Sequence, residues 1–282
     1  MVNPALGRNA NEDEIKAASD ALLGKTLQEI SESIHGRANS ERHRSKMAVA
    51  NLIEEDYFGI QINSDQAPDF EQAGIELKVT PLKTTGGGKL VRPKERLVLS
   101  MVDYGDIVKA DHWTEVPALE KKLQRLLIIW YLHLQGENRA NFPIIWHNIW
   151  EPSEERSKQI QADFKTIQEK VQQRESPSER HTEFLGTCPK HGGGFDKENP
   201  ENSSRSALVA PGNHPFNEYA ERRGWTIKSG AMLEVLHEST GLPPCKRGGA
   251  SGIQLDELWE ISNLQSSKEF TGTNRQKTFN DF

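Results

Sequence analysis

A chain of 282 residues, 35% hydrophobic and 27% charged, can bury a full core as one large domain or as one domain with two lobes. Two cysteines make no disulfide framework, and the sequence shows neither an apolar run long enough to span a bilayer nor a basic-then-apolar leader. A reduced, cytoplasmic setting is therefore expected and membrane insertion is not. The net charge of −6 does not exclude a polyanionic partner, because charge is unevenly spread: Lys78, Lys83, Lys89, Arg92, Lys94 and Arg96 stand against Glu95 alone over residues 78–96.

In chain order, Asn11 with Glu14 is a capping-box signature for a helix to about Leu23, and Thr26 to Ile34 predicts a second, ended by Gly36. A third helix is expected from Arg42 to Phe58. On it Glu55 shares a face with Ala48 and Leu52, whereas Glu54 shares one with Met47, Ala50 and Phe58, so periodicity does not choose between the two glutamates. After a polar loop comes a strand in which Ile75, Leu77 and Val79 alternate with Glu76, Lys78 and Thr80. The stretch Thr84-Thr85-Gly86-Gly87-Gly88-Lys89 is a turn, and Glu95 to Met101 a second strand. From Pro117 to Trp130, Leu119, Leu123, Leu126, Leu127 and Trp130 form a helical stripe flanked by Lys122.

Phe142 to Trp150 reads as an apolar strand, and Pro152 is placed to open a long polar helix to about Gln173. Beyond Ser176, Gly192-Gly193-Gly194 and Asn199 to Ser204 are loops around short strands near Phe184 and Leu208. A strand and helix run from Trp225 to His237, and one more element spans Gly252 to Leu264. The expected organisation is a lobe of residues 1–150 that carries the chemistry, a recognition lobe of 151–264 and a frayed tail of 265–282.

The chemistry concentrates in Pro68-Asp69-Phe70-Glu71-Gln72-Ala73-Gly74-Ile75-Glu76-Leu77-Lys78. Period two sets Glu76 and Lys78 side by side on one strand face, and Asp69 can close on the same spot. Two carboxylates beside an ammonium suit Mg²⁺, a hard cation that prefers oxygen ligands and keeps positions open for phosphate oxygens. By composition alone this spacing arises by accident in roughly one chain in twenty, so a solvated strand face weighs equally until the surroundings are read. Gly86-Gly87-Gly88-Lys89 is no phosphate-binding P-loop, since Leu90 stands where Ser or Thr should follow. Cys188, His191, His181 and Cys245 have no usual zinc spacing.

The surroundings are Asn51-Leu52-Ile53-Glu54-Glu55-Asp56-Tyr57-Phe58-Gly59, Asn63-Ser64-Asp65, Pro68-Asp69-Phe70, and Ala73-Gly74-Ile75-Glu76-Leu77-Lys78-Val79-Thr80-Pro81-Leu82-Lys83. In this text the chain resembles the MutH-type endonucleases, meaning the mismatch-repair nicking enzyme and the related GATC-cutting type II restriction enzymes. The resemblance is tight over residues 24–83, looser to Leu134 and patchy beyond Pro152. It implies an α/β fold with a restriction-endonuclease-like PD-(D/E)xK core, a mixed β-sheet flanked by helices, and two lobes forming a DNA cleft. It further implies Mg²⁺-dependent hydrolysis of duplex DNA, with Mn²⁺ able to substitute, and carries the catalytic set over to Glu55, Asp69, Glu76, Lys78 and Lys122. Metal ligands would be Asp69, Glu76, the Leu77 carbonyl and Glu55, where family spacing to Asp69 selects Glu55. Expected DNA contacts are Lys83, Lys89, Arg92 and Lys94 in the basic hairpin, and Lys190, Arg223, Thr226 and Lys228 by weaker likeness. Expected partners are double-stranded DNA and either a second copy on DNA or a partner defence or repair protein. The rival readings are a nuclease subunit that needs such a partner and a catalytically silent DNA-binding or allosteric module.

Overall fold

The first two helices start where their caps place them. Asn11 and Glu14 trade side-chain-to-backbone hydrogen bonds at the head of α1 (Glu12–Asp20), and Thr26 and Glu29 do the same at the head of α2 (Leu27–His35). Gly36 closes α2 at φ 74°, where a side chain would be strained. Ile15, Leu27 and Ile30 join Leu52, Phe58, Phe70 and Leu77 in one apolar cluster.

The structure, a computed structural model, describes residues 6–36, 46–61, 67–210 and 212–267. The expected helix start at Arg42, the Asn63-Ser64-Asp65 text and nearly all of the tail from Gln265 lie outside the described residues. Contacts divide the chain into two units that interleave in sequence: Met1–Glu95, Arg125–Trp150 and Leu233–Phe282 form one, and Arg96–Gln124 with Glu151–Met232 form the other.

The first unit is built on a mixed sheet of six strands: β1 (Glu76–Thr85), β2 (Leu90–Pro93), β4 (Leu126–His133), β5 (Ile144–Trp150), β8 (Cys245–Arg247) and β9 (Ala250–Gln254), in the order β5-β4-β1-β2-β9-β8. Only β1 and β4 pair in parallel; the other pairs are antiparallel. The parallel pair occupies the centre, and β4 is covered on both faces, Leu126 to Tyr131 all being buried. This corrects the helix expected from Pro117 to Trp130. Helix α5 (Pro117–Leu123) is only 7 residues long, and the Leu-Leu-Ile-Ile-Trp-Tyr-Leu run after it is strand. A strand buried on both sides is apolar at every position, so the leucines in it satisfy a helical period by default.

Flanking this sheet are α3 (Lys46–Asn51), α7 (Ala231–Thr240) and α8 (Leu255–Ser267). The indoles of β5 anchor α7: Trp146 Nε1 donates to Ser239 Oγ at 3.1 Å and Trp150 Nε1 to Glu238 Oε2 at 2.8 Å.

The second unit holds a three-stranded antiparallel sheet of β3 (Leu97–Met101), β6 (Leu185–Pro189) and β7 (Arg223–Ile227), ordered β3-β7-β6. The expected strand at Glu95 to Met101 exists, but it pairs here and not with β1. Helices α4 (Tyr104–Lys109) and α6 (Glu154–Gln172) complete the unit, α6 opening at Ser153 close to the expected Pro152. On α6, Asp163 is buried and its carboxylate accepts three backbone N–H groups, from Glu183 (2.9 Å), Phe184 (2.7 Å) and Leu185 (2.8 Å), which fixes the entry to β6. Asp163→Ala leaves these donors without acceptors and is expected to cost roughly 3–5 kcal/mol of stability, read as a lowered urea midpoint. A loss below about 1 kcal/mol would show that other groups satisfy the same donors. Among the described residues no helix is long and apolar enough to cross a membrane.

Candidate active site at the head of strand β1

A tight reversal precedes β1. Phe70 and Ile75 exchange backbone hydrogen bonds at 2.9 and 3.1 Å across the turn Glu71 to Gly74, and Gly74 sits at φ 66°, a conformation that suits glycine. Arg125 braces the turn, donating through Nη1 to the Ala73 carbonyl and through Nη2 to Glu12, each at 2.7 Å. The reversal brings Asp69 level with β1, where its Oδ2 accepts the Leu77 N–H at 2.9 Å. The neighbouring Glu76 N–H points the other way, to the Arg125 carbonyl at 3.0 Å. Amides alternate sides along a strand, so the Leu77 carbonyl lies on Asp69's side.

Glu76 is 2% exposed, and Lys78 Nζ donates to its Oε1. Burial pushes the Lys78 ammonium down, but the Glu76 and Asp69 charges and the Glu76 hydrogen bond outweigh it and leave its pKa raised. A buried pair like this gains little net stability over an apolar pair, so its presence in the core of a sheet points toward chemistry.

The third carboxylate is Glu54. After α3 the chain winds as a π-helix over Leu52–Tyr57, and the Phe58 N–H reaches back five residues to the Ile53 carbonyl at 3.0 Å. The wider turn changes which side chains face the sheet. Glu54 is half-buried and near enough to Lys78, Asp69 and Glu76 for their charges to act on it, whereas Glu55 is exposed. Burial raises the Glu54 pKa most, the Lys78 ammonium pulls it down, and Asp69, Glu76 and Glu55 push it up again, to about 7. In this structure the charges of Asp69, Glu76 and Lys78 act on Glu54, while the expected Glu55 is exposed, because the side chains that face the sheet shift where a turn takes in an extra residue.

The remaining expected residues fall in several environments. In the first unit, Lys83 and Arg92 face each other across the β1–β2 hairpin, on the side of β1 opposite to Glu76 and Lys78; Lys83, Lys89 and Lys94 are exposed and Arg92 is half-buried. In the second unit, Lys122 is half-buried near the end of α5, and Lys190 is exposed at the end of β6. Thr226 is 0% exposed with its hydroxyl donating to Glu179 Oε1 at 2.8 Å. Arg223 is buried, donating to Thr187 Oγ1 (2.9 Å), to the Thr187 carbonyl (3.1 Å) and to Glu221. Lys228 is half-buried and donates to the Thr182 carbonyl. Thr226 and Arg223 therefore serve the interior of the second unit and are withdrawn as DNA contacts, because β7 is the central strand of its sheet. Arg125 was not singled out from sequence, since its partners stand 52 and 113 positions away and leave no local pattern. Among the described residues no three His, Cys, Asp or Glu side chains stand in a ready-made metal cage.

A mixed sheet whose central strand begins with Glu76 and Lys78, with Asp69 folded back beside it, is the arrangement of a restriction-endonuclease-like core. Residues 58–163 match the family model described as DNA mismatch repair enzyme MutH. The chain is 27% identical over 200 residues to the type II restriction enzyme Sau3AI of Staphylococcus aureus, a match that takes in 69% of this chain and 37% of that enzyme. It is 24% identical over 196 residues to the DNA mismatch repair protein MutH of Escherichia coli O6:K15:H31 (strain 536), covering 66% of this chain and 79% of that protein. The chain is thus similar to the MutH-type endonucleases over the part that carries the site. The matched segment contains Asp69, Glu76, Lys78 and Lys122; Glu54 and Glu55 precede it.

Proposed function

We propose that this chain is a DNA endonuclease of the restriction or repair type, hydrolysing phosphodiester bonds of duplex DNA with a divalent cation. The observation that carries the reading is the meeting of Asp69, Glu76 and Lys78 at the head of β1, with Glu54 beside them. The donor set fits Mg²⁺, with Mn²⁺ as a substitute, because it is made of oxygens alone, three of the side chains being carboxylates. Asp69, Glu76 and the Leu77 carbonyl would hold the ion, and Glu54 would complete the site. Such an ion supplies Lewis acidity toward the phosphate and makes a bound water more acidic.

The protein's own groups do the rest. Lys78 is placed to orient the attacking water and to offset negative charge that develops on the phosphate. Lys122 would grip the scissile phosphate, and Lys83, Lys89, Arg92, Lys94 and Lys190 would hold the DNA backbone, leaving 5′-phosphate and 3′-hydroxyl ends. In this reading the first unit carries the chemistry and the second helps recognise the duplex, with the protein acting in the cytoplasm. A second reading is that a further copy or a partner protein is required for cleavage.

Digestion of methylated and unmethylated plasmids with Mg²⁺ or with EDTA, followed by mapping of the ends, tests both. Nicked or linear plasmid with Mg²⁺ alone is the expected result. A chain that binds plasmid but cuts only when a partner is added supports the second reading. Intact plasmid under every metal and partner condition overturns both.

A further inference from the structure

The end of the β6–β7 ladder presents two cations that the buried network around them holds in place. In register, Pro189 faces Arg223, and one step on the Lys190 N–H donates to the Arg222 carbonyl at 2.9 Å, so Lys190 and Arg222 project from the same face as direct cross-strand neighbours. Both are exposed, and neither charged group has a hydrogen-bond or ion-pair partner among the described residues.

Their backbones, by contrast, are tightly fixed. The Arg222 N–H donates to the Ala207 carbonyl at 2.7 Å, and the Arg223 carbonyl accepts the Val102 N–H at 2.9 Å. Glu221, before Arg222, is buried between Arg223 and His191, whose Nε2 lies 3.0 Å from Glu221 Oε1, and its carbonyl accepts the Tyr104 hydroxyl at 2.7 Å. Glu221 is thus engaged internally and does not offset the exposed pair. Gly224 lies two residues from Arg222 on the same face, and a Cβ there would stand 2.9 Å from Lys190 Cγ. The missing side chain lets the Lys190 stem lie flat on the sheet, which limits where its ammonium can go.

We propose that Arg222, with Lys190, forms a two-cation clamp on the phosphodiester backbone of bound DNA. A rigidly mounted pair at cross-strand distance matches the closely spaced charges of a duplex strand, and phosphate contacts of this kind position a protein without reading sequence. The inference rests on the DNA-endonuclease reading and adds to it a residue, Arg222, that the sequence did not single out.

The test is equilibrium binding of the full chain to a labelled duplex in EDTA over a range of salt, for the parent, Lys190→Gln, Arg222→Gln, Arg222→Lys and the double glutamine variant. Each phosphate contact adds about 0.9 to the steepness of log affinity against log salt. Each glutamine variant should therefore flatten the slope by about 0.9 and the double by about 1.8, equally on different sequences, while Arg222→Lys keeps the parental slope. A parental slope in Arg222→Gln beside a flattened one in Lys190→Gln overturns the clamp and leaves the DNA reading intact. Altered sequence preference at unchanged slope also overturns it, since Arg222 would then touch a base edge. A parent chain that binds no duplex removes both readings.

Discussion

Glu76→Ala and Lys78→Ala are each expected to abolish DNA cleavage while the protein stays folded. The two side chains are one paired unit, with Glu76 2% exposed, so neither is a solvated surface charge that could be lost without consequence. Lys78 is the ammonium nearest the carboxylates, and removing one preorganised charge from a transition state lowers rates by about 10²–10³-fold. Losing Glu76 takes away a proposed metal ligand as well, so its activity should drop to background. The folding controls differ in sign. Lys78→Ala leaves the Glu76 carboxylate buried beside Asp69 and Glu54 with nothing to neutralise it, and stability falls by some part of the ~3–5 kcal/mol typical of a broken buried pair. Glu76→Ala instead thins a crowd of carboxylates. Single-turnover cleavage together with urea denaturation separates the two effects, and a variant that retains full activity removes its residue from the proposed site.

Much of the first unit was legible because its signals are local. Asn11, Thr26 and Gly36 place helix ends within a few residues, and the alternation from Ile75 to Thr80 marks β1. The failures share one cause, the absence of a local signature for tertiary burial. Leu126 to Leu132 is apolar throughout because it is the central β4, and a run with no polar position cannot distinguish period 3.6 from period 2. The strand at Leu97 was visible, yet its partner β7 lies more than 120 residues later, so nothing nearby could say which sheet it joins. The interleaving of the two units follows from such distant pairings.

The site was legible to a similar degree. Asp69, Glu76 and Lys78 do meet, because a turn of fixed length closes on a strand of fixed period. A weak likeness marks Thr226 and Arg223 as DNA contacts, but polar side chains on a central strand are commonly absorbed by internal hydrogen bonds, as these are by Glu179, Thr187 and Glu221. Periodicity leaves Glu54 and Glu55 undecided and family spacing favours Glu55; the π-turn at Leu52–Tyr57, which no local pattern announces, is what puts Glu54 where the charges of Asp69, Glu76 and Lys78 act on it.

That position gives the second large effect. Glu54→Gln is expected to lower cleavage by about 10²-fold or more, the scale of losing one preorganised group at the reacting centre, whereas Glu55→Gln should cut like the parent, since Glu55 is exposed. An independent readout needs no metal. Glu54 is raised from an ordinary 4.5 to about 7, so the folded state favours its protonated form. Its contribution to stability is complete below about pH 4.5 and is lost as pH climbs through 7 and the buried carboxylate must ionise beside Asp69 and Glu76. Glutamine cannot ionise, so in EDTA the urea midpoint of Glu54→Gln should exceed that of the parent at pH 8 and lose that advantage toward pH 4.5. Glu55→Gln should track the parent throughout. The opposite pattern, with Glu55→Gln inactive and Glu54→Gln active with a parental pH profile, would return the role to Glu55 and mean that the π-turn unwinds when substrate binds.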